Sequence, residues 1–183
     1  MTPAKSSENP GPGFVLWLMG PTSGGKTTIA EHLLERLRAA GSPSMHFDGD
    51  EVRNFFGDTL GFKASDRQRV VGTLVHLANK TAEAGVNVIV SALTANEDAR
   101  RHVLDSVKNL KIVYIKCSIE TCAERDPKGL YAQAKNGEID TLIGINSDYL
   151  PPDSPDLVID TEALSPDEAV DAIIMHLDQS DGV

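Results

Sequence analysis

Gly20-Pro21-Thr22-Ser23-Gly24-Gly25-Lys26-Thr27 is the stretch that decides how this chain of 183 residues is read. It fits the pattern G-x-x-x-x-G-K-[ST], in which backbone N–H groups turn inward around phosphates, the lysine meets the β/γ end and the last hydroxyl can ligate Mg²⁺. Upstream, Phe14-Val15-Leu16-Trp17-Leu18-Met19 is an unbroken apolar run that reads as a buried strand. Downstream, Ile29, Ala30, Leu33, Leu34 and Leu37 recur at helical spacing until Gly41 and Pro43 end the run. Strand, glycine-rich loop and helix, in that order, predict a site for a nucleoside triphosphate. A ligand-free glycine turn would not need Lys26-Thr27 in register with the start of a helix.

Four more segments have strand character: Ser44 to Phe47, Val86 to Val90, Ile112 to Cys117 and Leu157 to Ile159. Helical patterns separate most of them. Val70, Val71, Leu74, Leu77, Ala78 and Thr81 keep one face apolar until Gly85. Ser165-Pro166-Asp167-Glu168 combines a capping box with a proline at the first helical position, and Ala169, Val170, Ile173, Ile174 and Leu177 follow on one face. This alternation predicts an α/β fold of three layers, with a five-stranded parallel sheet between helices and ligands at the carboxyl ends of the strands. Residues 125–152 break the rhythm with glycines at 129, 137 and 144 and prolines at 127, 151 and 152. That stretch reads as a mobile lid, the device that keeps water from a phosphoryl-transfer site.

Length and charge narrow the function. The chain suits one domain, expected over residues 13–180, preceded by a disordered polar tail over 1–12 that lacks the apolar core of a secretory signal. A formal net charge of -10 argues against nucleic acid or an anionic membrane as partner, so an anionic substrate must be met by local cations. Nothing is long and apolar enough to span a bilayer. Cys117 and Cys122 match neither a zinc nor a redox spacing and read as reduced thiols of a cytoplasmic protein. The pattern leaves the oligomeric state open, a homodimer being one option.

Phe47-Asp48-Gly49-Asp50, followed by Arg53, supplies the acidic element. Two carboxylates at spacing two on an extended strand end would share one side, so one could serve Mg²⁺ and the other take a proton from an attacking hydroxyl. Alternatively Asp48 or Asp50 caps the helix beginning near Glu51.

These motifs, with Leu60-Gly61-Phe62, Asp66-Arg67, Arg125-Asp126-Pro127-Lys128-Gly129-Leu130-Tyr131, Gly137-Glu138-Ile139, Tyr149 to Pro152 and Leu157 to Thr161, resemble the adenylylsulfate kinase family in order and spacing over about residues 13 to 178. The resemblance implies a P-loop kinase fold, and transfer of the γ-phosphate of ATP to the ribose 3′-hydroxyl of adenylyl sulfate with Mg²⁺. It implies an ATP-phosphate set of Gly20, Ser23, Gly24, Gly25, Lys26, Thr27 and Thr28. Lys26, Asp50 and Lys128 would be catalytic, and Thr27 and Asp50 would serve the metal. Asp48, Arg53, Phe62, Arg67, Ser91 and Leu142 would form the acceptor side, with Phe62 on the base and the arginines on the anionic end. Arg125 would anchor the lid.

Departures from the family pattern gather on the acceptor side. Val70 stands for a usual Asn, Leu142 for a second aromatic, Glu51 for Asn, Gly72-Thr73 for an Arg pair and Asn146 for Asp, while after the third strand, where the family usually reads F-I-S-P-Y, Ala92-Leu93-Thr94-Ala95-Asn96 follows Ser91 and the segment reads as shorter. Losing one stacking partner costs about 1 to 3 kcal/mol, so Leu142→Phe with Val70→Asn is expected to tighten adenylyl sulfate binding. Three functions follow: phosphorylation of adenylyl sulfate; of another nucleotide-linked anion, such as a cytidine diphosphate derivative (cytidine diphosphoramidate) in surface polysaccharide synthesis; or catalytically silent nucleotide binding.

Overall fold

The computed structural model describes residues 11–61 and 63–180. Almost all of the tail, and Phe62, lie outside them. All five expected strands form: β1 (Val15–Met19), β2 (Ser44–Asp48), β3 (Asn87–Ala92), β4 (Leu110–Lys116) and β5 (Leu157–Asp160). They pair in parallel in the order β2-β3-β1-β4-β5. The helices are α1 (Lys26–Ala39), α2 (Gly49–Phe55), α3 (Ala64–Glu83), α4 (Glu97–Ser106), α5 (Ile119–Arg125), α6 (Leu130–Lys135) and α7 (Pro166–Ser180). None is long and apolar enough to cross a membrane among the described residues.

The unbroken apolar run of β1 follows from its central place: both faces are covered and all five side chains are buried. Alternation then sorts the core into two halves. Val15, Trp17 and Met19 pack with Leu74 and Ala78 of α3 and Val103 of α4, whereas Leu16 and Leu18 pack with Ile29 and Leu33 of α1 and Ile173 of α7. The capping box expected at α7 is present, with Ser165 N donating to Glu168 Oε2 at 2.9 Å and Glu168 N returning a bond to Ser165 Oγ at 3.3 Å.

In register, Met19 lies beside Ala92 and Tyr114, and Asp48 beside Ser91. The loops that leave β1, β2 and β3 therefore open at one edge of the sheet. Residues 125–152 are not the thin excursion that their composition predicts. They include α6, and Tyr131, Ala134 and Leu142 form a separate apolar cluster with Cys117 and Cys122.

Candidate active site

β1 runs directly into the phosphate loop, which sits close against β4: a Cβ on Gly20 would lie 2.5 Å from the Ile115 carbonyl oxygen. Ser23 and Gly25 take left-handed backbones at φ 61° and 98°, and Gly25 opens α1 without a side-chain cap. The first N–H groups of α1 thus point into the cavity at the positive end of its dipole. Ser23 Oγ is also buried without a hydrogen-bond partner among the described residues. Both observations call for an anion. Lys26 Nζ bends back onto its own loop, donating to the Gly20 and Pro21 carbonyls at 2.9 and 2.7 Å. Burial pulls its pKa down to about 8 against the opposing pull of Asp50 and Asp48. Thr27 and Thr28 line the opening, while Gly24 lies behind it and accepts a 3.0 Å bond from Thr161 Oγ1.

The acidic pair is arranged differently from the expectation. Asp48 ends β2 and caps α2, so Asp50 stands in the first helical turn and the two carboxylates do not share a strand face. Asp48 is buried. Its Oδ2 accepts from Thr27 Oγ1 at 2.8 Å and Ser91 Oγ at 2.6 Å, and its Oδ1 accepts from the Asp50 and Glu51 N–H groups at 2.8 and 3.4 Å. Burial alone would raise its pKa, but the bonds from Ser91, Thr27 and Asp50 outweigh burial and hold it below the usual carboxylate value. Capping and site roles therefore coincide in one residue. Ser91, 2% exposed and also 2.8 Å from His46 Nε2, orients Asp48 and has little surface of its own to offer a substrate. His46, which the sequence reading passed over, closes this chain of hydrogen bonds.

Asp50 is exposed and pairs with Lys128 Nζ of the 125–152 segment at 2.5 Å. Burial lowers the Lys128 pKa, and the Asp50 bond more than compensates, leaving it raised. Across the cavity, Arg53 donates to the Gly61 carbonyl and Arg67 to the Thr141 carbonyl, the latter at 2.6 Å. Burial depresses both guanidinium pKa values, and Arg53 lowers that of Arg67 further by proximity. Both arginines line the cavity, so an anion there would meet two cations. Arg125 reaches Thr161, through Oγ1 at 3.1 Å and the carbonyl at 2.7 Å, and still lines the cavity. Tyr131 ties α6 to the phosphate loop by donating to the Thr22 carbonyl at 3.0 Å.

One cavity of about 890 Å³ joins these parts, from Thr22 to Thr28 on one side to Arg53, Arg67, Val70 and Leu142 on the other. Among the described residues no group of three His, Cys, Asp or Glu side chains is placed to hold a metal ion. The Thr27 hydroxyl with Asp48 behind it and Asp50 nearby is instead a partial set of hard oxygen donors, which fits Mg²⁺ that takes its remaining ligands from phosphates and water.

Comparison with known proteins places this geometry in a family. The adenylylsulphate kinase family model matches residues 12–160. The chain belongs to the adenylylsulphate kinase family. It is 37% identical to a probable adenylyl-sulfate kinase of Halalkalibacterium halodurans over 89% of this chain and 82% of that one. It is 36% identical to the adenylyl-sulfate kinase of Deinococcus deserti over 97% and 98%. The solved structure of the Mycobacterium tuberculosis APS kinase CysC in complex with AMPPNP and APS superposes with a TM-score of 0.86 at 32% identity, covering 92% of this chain and 99% of that one.

Against the adenylylsulphate kinase pattern, the departures separate into two groups. Glu51, Val70, Ala92 to Asn96 and Leu142 line the cavity; Gly72, Thr73 and Asn146 do not. Asn146 instead accepts from the Leu142 N–H at 3.0 Å and shapes a turn. Val70 is 4% exposed in the main core, so an Asn there would bury an amide among apolar neighbours instead of restoring a contact at no cost.

Proposed function

We propose that this protein, an ATP-dependent kinase by family, transfers the γ-phosphoryl group of ATP to the ribose 3′-hydroxyl of adenylyl sulfate, giving 3′-phosphoadenylyl sulfate and ADP. The observation that carries this reading is one cavity lined by the phosphate loop, by Arg53 and Arg67, and by Asp50 with its partner Lys128. The relatives named above support it, as does the Mycobacterium tuberculosis complex with both ligands.

The N–H groups of residues 23–28 would hold the ATP phosphates, and Lys26 would exchange its loop carbonyls for phosphate oxygens. Arg53 and Arg67 would hold the phosphosulfate end of the acceptor. Asp50, an exposed carboxylate, would orient the 3′-hydroxyl and take its proton as the new oxygen–phosphorus bond forms and the bond to ADP breaks. For that it must release Lys128, whose ammonium would then face the transferring oxygens. Asp48 holds Thr27 in place instead of meeting the acceptor. Mg²⁺, held with the help of Thr27 and Asp50, would offset phosphate charge. The buried thiols Cys117 and Cys122, both unpaired, support a reducing, cytoplasmic setting.

The test is transfer of label from γ-labelled ATP to a panel of nucleotides. Label on adenylyl sulfate, at its 3′-oxygen, is expected. Efficient labelling of a different nucleotide with none on adenylyl sulfate would replace this reading.

A further inference from the structure

Residues 92–96, one of the stretches that departs from the family resemblance, line the cavity where β3 leads into α4. At its centre Thr94 is buried with φ 42°, a left-handed backbone that a β-branched residue rarely adopts. Two neighbours hold it there. Trp17, fully buried in β1, donates its indole Nε1–H to Thr94 Oγ1 at 3.0 Å, which gives a buried donor its partner. From the opposite side Arg100 of α4 donates through Nε to the Thr94 carbonyl at 2.9 Å.

The same guanidinium spans to the far end of the lid segment. One of its terminal nitrogens donates to the Pro151 carbonyl at 3.1 Å and the other to the Leu150 carbonyl. Its charge lies 6.0 Å from the centroid of the Tyr149 ring, which stacks on Tyr114 of β4. Pro151 and Pro152 have no N–H, so this stretch cannot complete a helix or a sheet ladder and its carbonyls need donors from elsewhere. A planar fork of donors can serve carbonyls on both sides at once; an ammonium cannot hold all of them in the same geometry.

We propose that Arg100 is a positioning residue for the acceptor: it locks the pocket wall at Thr94 to the point where the lid segment rejoins the core. The inference rests on the reading that this side of the cavity receives the acceptor. Arg100 touches neither the phosphate loop nor Asp50, so its loss acts on one substrate.

The test is steady-state kinetics of the full chain with ATP and adenylyl sulfate. Arg100→Lys is expected to raise the acceptor KM by about tenfold, the size of lost hydrogen bonds to a charged donor, while the ATP KM moves by less than about twofold. Thr94→Val, which removes the hydroxyl that Trp17 uses, should show the same split, and Thr94→Ser should restore the wild-type acceptor KM. Arg101→Gln, an exposed neighbour paired with Glu97, should change neither constant. If Arg100→Lys folds poorly, the Thr94 pair decides. Arg53→Ala, run alongside, separates the two claims. If it raises the acceptor KM while the Arg100 and Thr94 variants do not, or if those variants raise both KM values together, the strut is overturned and the function stands. If the unmodified protein turns over no adenylyl sulfate, the function falls and the inference with it; if turnover is normal and Arg53→Ala, Arg100→Lys and Thr94→Val all leave the acceptor KM unchanged, the strut and the placing of the acceptor at Arg53 fall while the function stands.

Discussion

The two ends of the cavity are built from different materials. At the phosphate end eight consecutive residues, Gly20 to Thr27, supply a cradle made mostly of backbone N–H groups, set by two left-handed residues and a helix start. At the other end, proposed to take the acceptor, the groups are side chains from separate elements: Arg53 of α2, Arg67 and Val70 of α3, Leu142 of the 125–152 segment and the wall at Thr94. A backbone cradle tolerates little change in sequence, because its geometry depends on glycine and on register. A side-chain pocket can change one residue at a time, and the chain's departures that touch the site lie there or at Glu51 beside it.

The largest effect should come from the phosphate end. Lys26→Ala is expected to lower kcat about a thousandfold, in line with loss of a cation from the transferring oxygens; single-turnover phosphoryl transfer would measure it. Near-normal transfer in that variant would mean that the cradle alone suffices.

Asp48 and Asp50 sharpen the contrast between holding and reacting. Asp50→Asn should lower kcat about a hundredfold with stability changed by less than about 0.5 kcal/mol, because the side chain is exposed. Asp48→Asn places an amide donor where Thr27 and Ser91 already donate, and should cost about 2 kcal/mol of stability in urea unfolding. The opposite pattern, with Asp50 structural and Asp48 neutral, would reverse the roles assigned here.

The pH dependence of ATP binding probes the cradle separately. Free Lys26, with its pKa lowered to about 8 by burial, loses its proton above that pH, and a bound triphosphate favours the charged form. The complex then holds more protons than the free protein, so affinity falls as pH rises, approaching about tenfold per pH unit until the pKa of the complex is reached. Calorimetry at pH above 8 in buffers of different ionisation heat should show proton uptake on binding; proton release would contradict it.

The smallest expected effect is at Leu142. It is packed in one apolar cluster with Tyr131 and Cys122, so Leu142→Phe should overpack that cluster, at about 1 kcal/mol of stability, and change adenylyl sulfate affinity only a few-fold. A tenfold gain in affinity would show that the ring reaches the base after all.

What the sequence made legible follows the same division. Five strands, three amphipathic helices and the phosphate loop were readable because period, glycine and proline act locally, and Arg53 and Arg67, which line the cavity, stood out only through motif resemblance. Of the two readings of the acidic pair, the cap holds for Asp48 and the shared strand face does not, because the chain turns from β2 into α2 at Asp48 and strand alternation stops there. His46, Thr94 and Arg100 carried no local signal: Arg100 and Arg101 look alike until α4 is docked. The buried Trp17 alone gave a clue, since an indole N–H in a core strand must find an acceptor. The apolar packing of residues 125–152 was hidden by their glycines and prolines, since Tyr131 and Leu142 meet Cys117 and Cys122 only in the fold.

The most direct test is a crystal structure of the protein with a non-hydrolysable ATP analogue, Mg²⁺ and adenylyl sulfate together. Expected are phosphates on the N–H groups of residues 23–28, Lys128 detached from Asp50, and the ribose 3′-hydroxyl within hydrogen-bond distance of the Asp50 carboxylate, with the phosphosulfate between Arg53 and Arg67. A complex in which both nucleotides are bound, yet Asp50 keeps Lys128 and the 3′-hydroxyl lies against another group, would contradict these roles.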